Sequence, residues 1–141
     1  MPDRRAVKLL VHSRVGEFLV LYRSHTHPIW PHWPDLPGGA VESGETDIQA
    51  LDREIREEMD VMLPTEDAIQ IGYDAEYEPG DGLITRVLYM LKIEQDNLPI
   101  KPSWEHEHFA WLPAGELQGF EPPYQTLVQV ALDFYLPARM G

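Results

Sequence analysis

The sequence predicts an α/β domain built in layers. Three observations carry that expectation: apolar runs of strand length on both sides of the middle of the chain, a capped amphipathic helix between them, and an apolar helical stretch after the last strand. The runs 6–11 and 17–23, separated by Ser13-Arg14-Val15-Gly16, predict two strands and a turn, read as a hairpin. Over 24–39 the composition shifts to His, Pro and Trp. Pro28, Pro31, Pro34 and Pro37 each remove a backbone donor, so this stretch is expected to be a long irregular loop.

Thr46-Asp47-Ile48-Gln49 has the form of a capping box and starts a helix over 47–59, with Ile48, Leu51, Ile55 and Met59 as its buried stripe. Pro64 stops anything further. Strands are expected over 68–73 and 83–93, joined through Glu78-Pro79-Gly80-Asp81-Gly82, and a short one over 109–112. A short helix over 114–117 and a longer one over 123–135 complete the chain. No repeat or composition shift marks a linker, so one domain across 1–141 is expected.

Composition narrows the function classes. Of the 141 residues, 43% are hydrophobic, enough for one core of ordinary size. Eleven Lys and Arg against 24 Asp and Glu give a net charge of −13, which repels phosphate backbones and argues against a nucleic-acid polymer as partner. The absence of Cys excludes disulfides, thiolate metal sites and thiol nucleophiles. With no signal-peptide core and no apolar stretch of spanning length, a soluble, cytoplasmic protein without a membrane partner is expected.

The most informative stretch is Leu36-Pro37-Gly38-Gly39-Ala40-Val41-Glu42-Ser43-Gly44-Glu45, followed by the helix that carries Arg53-Glu54-Ile55-Arg56-Glu57-Glu58. Glu54, Glu57 and Glu58 stand at i, i+3 and i+4, which puts their carboxylates on one helix face. Hard divalent cations take oxygen ligands, and magnesium combines one or two carboxylates with substrate phosphates. A plain solvated acidic face has the same spacing, since exposed like charges one turn apart cost only about 0.2–0.5 kcal/mol. Partly dry, two charges about 5 Å apart repel by about 3 kcal/mol at an effective dielectric of about 20, and a counter-ion becomes necessary. Burial decides between the two.

This segment, residues 39–61, resembles the Nudix box, G-x5-E-x7-R-E-U-x-E-E-x-G-U with U apolar: Gly39, Glu45, Arg53, Glu54, Ile55, Glu57, Glu58 and Val61 each match. One position departs, with Asp60 where the family has glycine, at a helix end where a left-handed residue is usual. The order of the preceding hairpin and of Glu105-His106-Glu107-His108-Phe109-Ala110-Trp111-Leu112-Pro113 is also similar to Nudix domains, which implies an α/β/α sandwich with a mixed sheet between helices.

The resemblance implies that Glu54, Glu57 and Glu58 ligate magnesium, with manganese as a substitute, and that the Gly39 region adds a backbone carbonyl. Glu57, or a later acid such as Glu105, would deprotonate the attacking water, with Glu107 close enough to compete for the later role. Arg53 would pair with Glu45 and orient the neighbouring glutamates. Arg23 resembles an arginine aimed at phosphate, and Trp30 or Trp33 would stack on a base. His106 and His108 form a lone H-x-H without a third ligand and are not read as a metal site.

The implied substrate is a small nucleotide or other nucleoside diphosphate derivative. With only Arg14, Arg23 and Arg86 as the chief cations, its polyphosphate would depend on metal for recognition. The leading expectation is a MutT-like nucleoside triphosphate pyrophosphohydrolase, a group that includes enzymes clearing oxidised guanine nucleotides. Tyr77 falls where dinucleoside polyphosphate hydrolases carry a tyrosine, which keeps that alternative, with ADP-sugar hydrolysis and a non-catalytic nucleotide-binding module behind it. An apolar C-terminal helix would also suit a homodimer.

Overall fold

Both faces of the central strands are apolar, which commits them to the middle of a sandwich. The computed structural model describes residues 3–28, 31–80 and 82–135. Its strands are β1 (Arg4–His12), β2 (Glu17–Arg23), β3 (Pro34–Asp35), β4 (Gly38–Ala40), β5 (Ile69–Glu78), β6 (Gly82–Lys92) and β7 (His106–Pro113), and its helices are α1 (Asp47–Met59) and α2 (Pro122–Val130). Among the described residues the seven strands form one mixed sheet, with the path β3-β2-β1-β6-β5, β4 added on β1 and β7 on β2. Val7, Leu9, Val11, Leu19, Leu21, Val87 and Leu91 face α1 on one side, where they meet Leu51, Ile55 and Met59. Leu10, Phe18, Val20, Leu88 and Met90 face α2 on the other, against Tyr124, Leu127 and Val128. The alternation is the two-residue period of a strand with both sides buried. Each fully buried side chain contributes about 1.5–3 kcal/mol of apolar transfer.

The hairpin over 6–11 and 17–23 closes only at its base. β1 and β2 are antiparallel neighbours in register at His12↔Phe18. Beyond that pair they part, because β4 lies against β1 from Lys8↔Gly38 to Ala6↔Ala40 and β7 takes β2 from Glu17↔Pro113 onwards. The long hairpin of the fold is β5–β6, and β6 runs parallel to β1 from Arg4↔Ile84 to His12↔Lys92. The irregular loop expected over 24–39 is also corrected, since it contains β3 and β4. Pro34 is tolerated in β3 because that strand is the sheet edge, where a missing N–H breaks no ladder.

α1 starts and stops as its sequence directs. The Thr46 hydroxyl accepts from the Gln49 N–H at 3.1 Å and the Gln49 side chain accepts from the Thr46 N–H at 2.9 Å, a reciprocal capping box. Asp60 ends the helix in the left-handed conformation, φ 55° and ψ 39°. Arg5 on β1 donates twice to Asp47 at 2.7 Å, and Tyr89 on β6 donates to the same carboxylate at 2.7 Å, which pins the helix start to the sheet. At the other end the segment before β7 satisfies helix carbonyls, Lys101 N–H to Met59 O at 2.9 Å and Ser103 N–H to Glu58 O at 3.0 Å. The predicted helix over 123–135 is shorter as an α-helix: regular geometry ends at Val130 and one π turn, Ala131–Tyr135, follows. Of the apolar C-terminal stretch on which the homodimer expectation rested, Tyr124, Leu127 and Val128 pack into the protein's own core and Phe134 is exposed.

Candidate active site

The site is built on two glycines whose missing side chains are spoken for. Gly38 has φ +135°, and a Cβ there would stand 2.1 Å from the Val7 carbonyl oxygen, so β4 reaches β1 only with glycine at this position. A Cβ on Gly39 would stand 2.7 Å from Glu54 Oε1, so the carboxylate lies directly on the backbone of the turn. From the same helix, Glu58 Oε1 accepts from the Gly38 N–H at 2.7 Å.

Burial is graded around the acidic face. The side chain of Glu58 is 4% exposed, that of Glu54 15% and that of Glu57 59%. The face is therefore not uniformly solvated, which removes the bland account of the three glutamates for two of them. Burial pushes the Glu58 carboxyl well above the ordinary carboxylate range, against the pull of Lys8 and the Gly38 amide. Burial also raises Glu54, with Arg53 opposing.

Arg53 organises the rest. Its guanidinium donates to Glu45 through Nε at 2.8 Å and Nη2 at 3.0 Å, the planar fork that suits a carboxylate. Nη2 also reaches the Ala40 carbonyl at 2.9 Å, while Nη1 lies 2.9 Å from Glu54 Oε1 and 3.4 Å from Glu57 Oε2. The Arg53 hydrogen bonds and the Glu42 N–H together hold the Glu45 carboxyl down to about 2.

Among the described residues no three acidic or imidazole side chains already converge on one point. Glu54 and Glu57 share one guanidinium nitrogen, and Glu58 is turned inward to the Gly38 amide. The donor set nonetheless fits a hard divalent cation. It is all oxygen, two of its carboxylates are drawn to a single positive centre, and the Gly38–Gly39 turn presents backbone with no side chain in the way.

The remaining candidates sit on other elements of the fold. Glu105, 40% exposed, precedes β7, with His27 Nε2 3.9 Å from its Oε2 and its carbonyl accepting from Ser24 N–H at 2.9 Å. Glu107 bonds to His32 at 2.6 Å. Arg23 is buried rather than at a rim, with Nε 3.5 Å from Asp35 Oδ2. Trp33 is partly exposed and its carbonyl accepts from the Arg23 N–H at 3.0 Å. Tyr77 is exposed on β5 opposite Leu83. Trp30 lies outside the described residues.

Sequence reading missed Lys8 and Asp35 and set His106 aside with His108; the three fold into a buried cluster against Glu58. Lys8 Nζ meets Asp35 Oδ1 at 3.0 Å, and His106 Nε2 meets Asp35 Oδ2 at 3.1 Å. Although burial opposes both charges, Lys8 and His106 hold Asp35 far below its ordinary range, and Asp35 and Glu58 hold Lys8 above its own. The available signal was Lys8 itself, a charge in the middle of an apolar strand.

An α/β/α sandwich with Glu54 and Glu58 of one helix set on a glycine turn is what this chain shares with its Nudix relatives, which make it a hydrolase acting on phosphorus-containing anhydrides. The chain belongs to the Nudix family, whose NUDIX domain model matches residues 2–130. An uncharacterised Nudix hydrolase of Nostoc sp. is 30% identical over 139 residues, covering 93% of this chain and 79% of the relative. The crystal structure of a MutT protein from Methanosarcina mazei superposes with a TM-score of 0.73 at 21% identity, over 91% of each chain. That of an Ap4A hydrolase from C. elegans superposes with a TM-score of 0.65 at 22% identity, over 94% of this chain and 98% of that one.

Proposed function

We propose that this chain is a magnesium-dependent nucleoside triphosphate pyrophosphohydrolase, with manganese able to substitute, that releases a nucleoside monophosphate and pyrophosphate. The observation that carries the reading is the contact of Glu54 and Glu58 with the Gly38–Gly39 turn, with Glu57 one turn away on the solvent side. Glu54, Glu57, Glu58 and the Gly39 backbone carbonyl would hold the metal. When bound, such an ion supplies positive charge against the phosphates and lowers the proton affinity of an attacking water.

The chain's own residues do the rest. Arg53, tied to Glu45, fixes the direction of Glu54 and balances its charge. Glu57 takes the proton of the attacking water, with Glu105 on the opposing segment as the other acid in reach of solvent. Trp33 would border the base, while Arg23, joined to it by a backbone hydrogen bond, is buried against Asp35 and would support that edge of the site rather than face a phosphate.

A second reading, hydrolysis of a dinucleoside polyphosphate, is favoured by one observation: Tyr77 turns its ring to solvent, available to stack on a second base. The deciding experiment is a magnesium-dependent product screen over nucleoside triphosphates, dinucleoside polyphosphates and ADP-sugars. Pyrophosphate and monophosphate from a triphosphate are expected, and chelator abolishes them. Preferential cleavage of a dinucleoside polyphosphate moves the assignment to the second reading. Turnover that survives chelation overturns both.

A further inference from the structure

Five residues form an arc beneath the glycine turn. Gly38 N–H donates to Glu58 Oε1 at 2.7 Å, and the Gly38 carbonyl faces Lys8 Nζ at 3.4 Å. Lys8 Nζ donates to Asp35 Oδ1 at 3.0 Å, and Asp35 Oδ2 meets His106 Nε2 at 3.1 Å. The arc stops short of closing at His106 Nδ1, which is buried without a hydrogen-bond partner among the described residues, 3.9 Å from Glu58 Oε2. It joins α1, β1, β3, β4 and β7 at one place, and the His106 side chain is only 1% exposed.

Charge neutrality does not require the imidazole. Lys8 and Arg23 both lie against Asp35, and burial disfavours charge on Glu58. What His106 alone supplies is a rigid spacer between those carboxylates, which would otherwise be drawn to the same cations. Asp35, flanked by Lys8 and Arg23, is an acceptor, so Nε2 carries the hydrogen directed at it and the ring plane is fixed. With Glu58 Oε1 tied to the Gly38 amide, the other edge of that fixed ring bounds the direction open to Oε2.

We propose that His106, held by Asp35, is a positioning residue that sets the orientation of the Glu58 carboxylate against the Gly38–Gly39 turn and thereby the affinity of the site for its divalent cation. The second half of this statement rests on the proposed role of Glu58 as a metal ligand. The first half does not, because the arc from Gly38 through Lys8 and Asp35 to His106 is formed by the chain alone. The same anchor seats the start of β7, so Glu105, the preceding residue, is delivered from a fixed point.

The test uses the whole chain and two readouts that activity does not enter: Mn²⁺ affinity by electron paramagnetic resonance in nucleotide-free protein, and amide exchange of Gly38 in metal-free protein. His106→Leu, which keeps bulk and loses both nitrogens, is expected to weaken Mn²⁺ binding by about 10–100-fold, the usual range for a residue that orients a ligand. Gly38 exchange quickens in the same variant. His106→Gln, whose amide still donates to Asp35, recovers part of both. Wild-type Mn²⁺ affinity and Gly38 exchange in His106→Leu, whatever its melting temperature, overturn the proposal and leave the residue a packing element. If His106→Leu does not fold, Asp35→Asn is read in the same two ways, and unchanged values there overturn it equally. Glu58→Gln separates the two failures: undiminished Mn²⁺ affinity in that variant overturns the ligand reading and the metal half of the proposal, whereas normal affinity in the His106 variants alone overturns the positioning role.

Discussion

The Glu54 carboxylate occupies the space where a side chain at residue 39 would begin, with Oε1 only 2.7 Å from the position of a Cβ on Gly39. The atom in the way is the end of a flexible side chain. Gly39→Ala is therefore expected to fold, with a melting temperature near wild type, and to lose turnover by about 10²-fold as Glu54 is pushed off the turn. Equal activity would show that Glu54 does not need this contact.

Gly38→Ala is the contrasting case. Its Cβ would stand 2.1 Å from the Val7 carbonyl, which is backbone, and φ +135° is closed to alanine. A loss of stability of about 3 kcal/mol or more is expected, measured by denaturant unfolding. A loss below about 1 kcal/mol would mean that β4 can leave β1 at little cost.

Glu57→Gln keeps charge-free bulk at an exposed position, so the fold should be unaffected. Turnover is expected to fall by about 10²–10⁴-fold, the worth of a positioned acid or base. An unchanged rate in a clean preparation reassigns the base, with Glu105 next to be substituted.

The Glu45–Arg53 pair makes stability depend on pH with a defined sign. Arg53 and the Glu42 N–H lower the folded Glu45 carboxyl to about 2 from its ordinary value of 4.5. The pair's contribution is present in full above 4.5 and is lost as pH falls through about 2. Glu45→Gln should thus melt below wild type at neutral pH, with the gap closing on acidification toward pH 2. A gap that is constant with pH would show that packing rather than charge is lost.

Asp60→Gly replaces a left-handed residue with the one that adopts that conformation freely. The helix end is exposed and φ is 55°, so stability should stay level or rise by up to about 1 kcal/mol. A clear fall in melting temperature would reveal a contact of the Asp60 carboxylate.

The parts of this molecule legible in sequence were those specified locally. The capping box of Thr46 and Gln49, the stripe of Leu51, Ile55 and Met59, and the left-handed stop at Asp60 each depend on neighbours within a turn or two. The partners of β1 were not legible, because Leu9 and Leu10 announce a strand buried on both faces without naming what lies beside it. Proline-rich composition hid β3 and β4, whose pairing is decided by edge position and by glycine rather than by strand propensity. In the site, the motif located Glu54, Glu57 and Glu58 but not their unequal burial. Asp35 and His106 are 71 positions apart, and only the return of β7 beside β2 brings them together.

The parallel register of β1 on β6 sets the order in which the chain can be assembled. Arg4 meets Ile84 and His12 meets Lys92, separations of 84 − 4 = 80 and 92 − 12 = 80 residues. At ordinary ribosomal rates about 4–16 s elapse between the emergence of these two strands. Throughout that interval β1 can be paired by β2 and β4 on one edge, while the edge that β6 will take stays open. An open strand edge is a template for wrong pairing, so the early chain carries its aggregation hazard on that one side of β1.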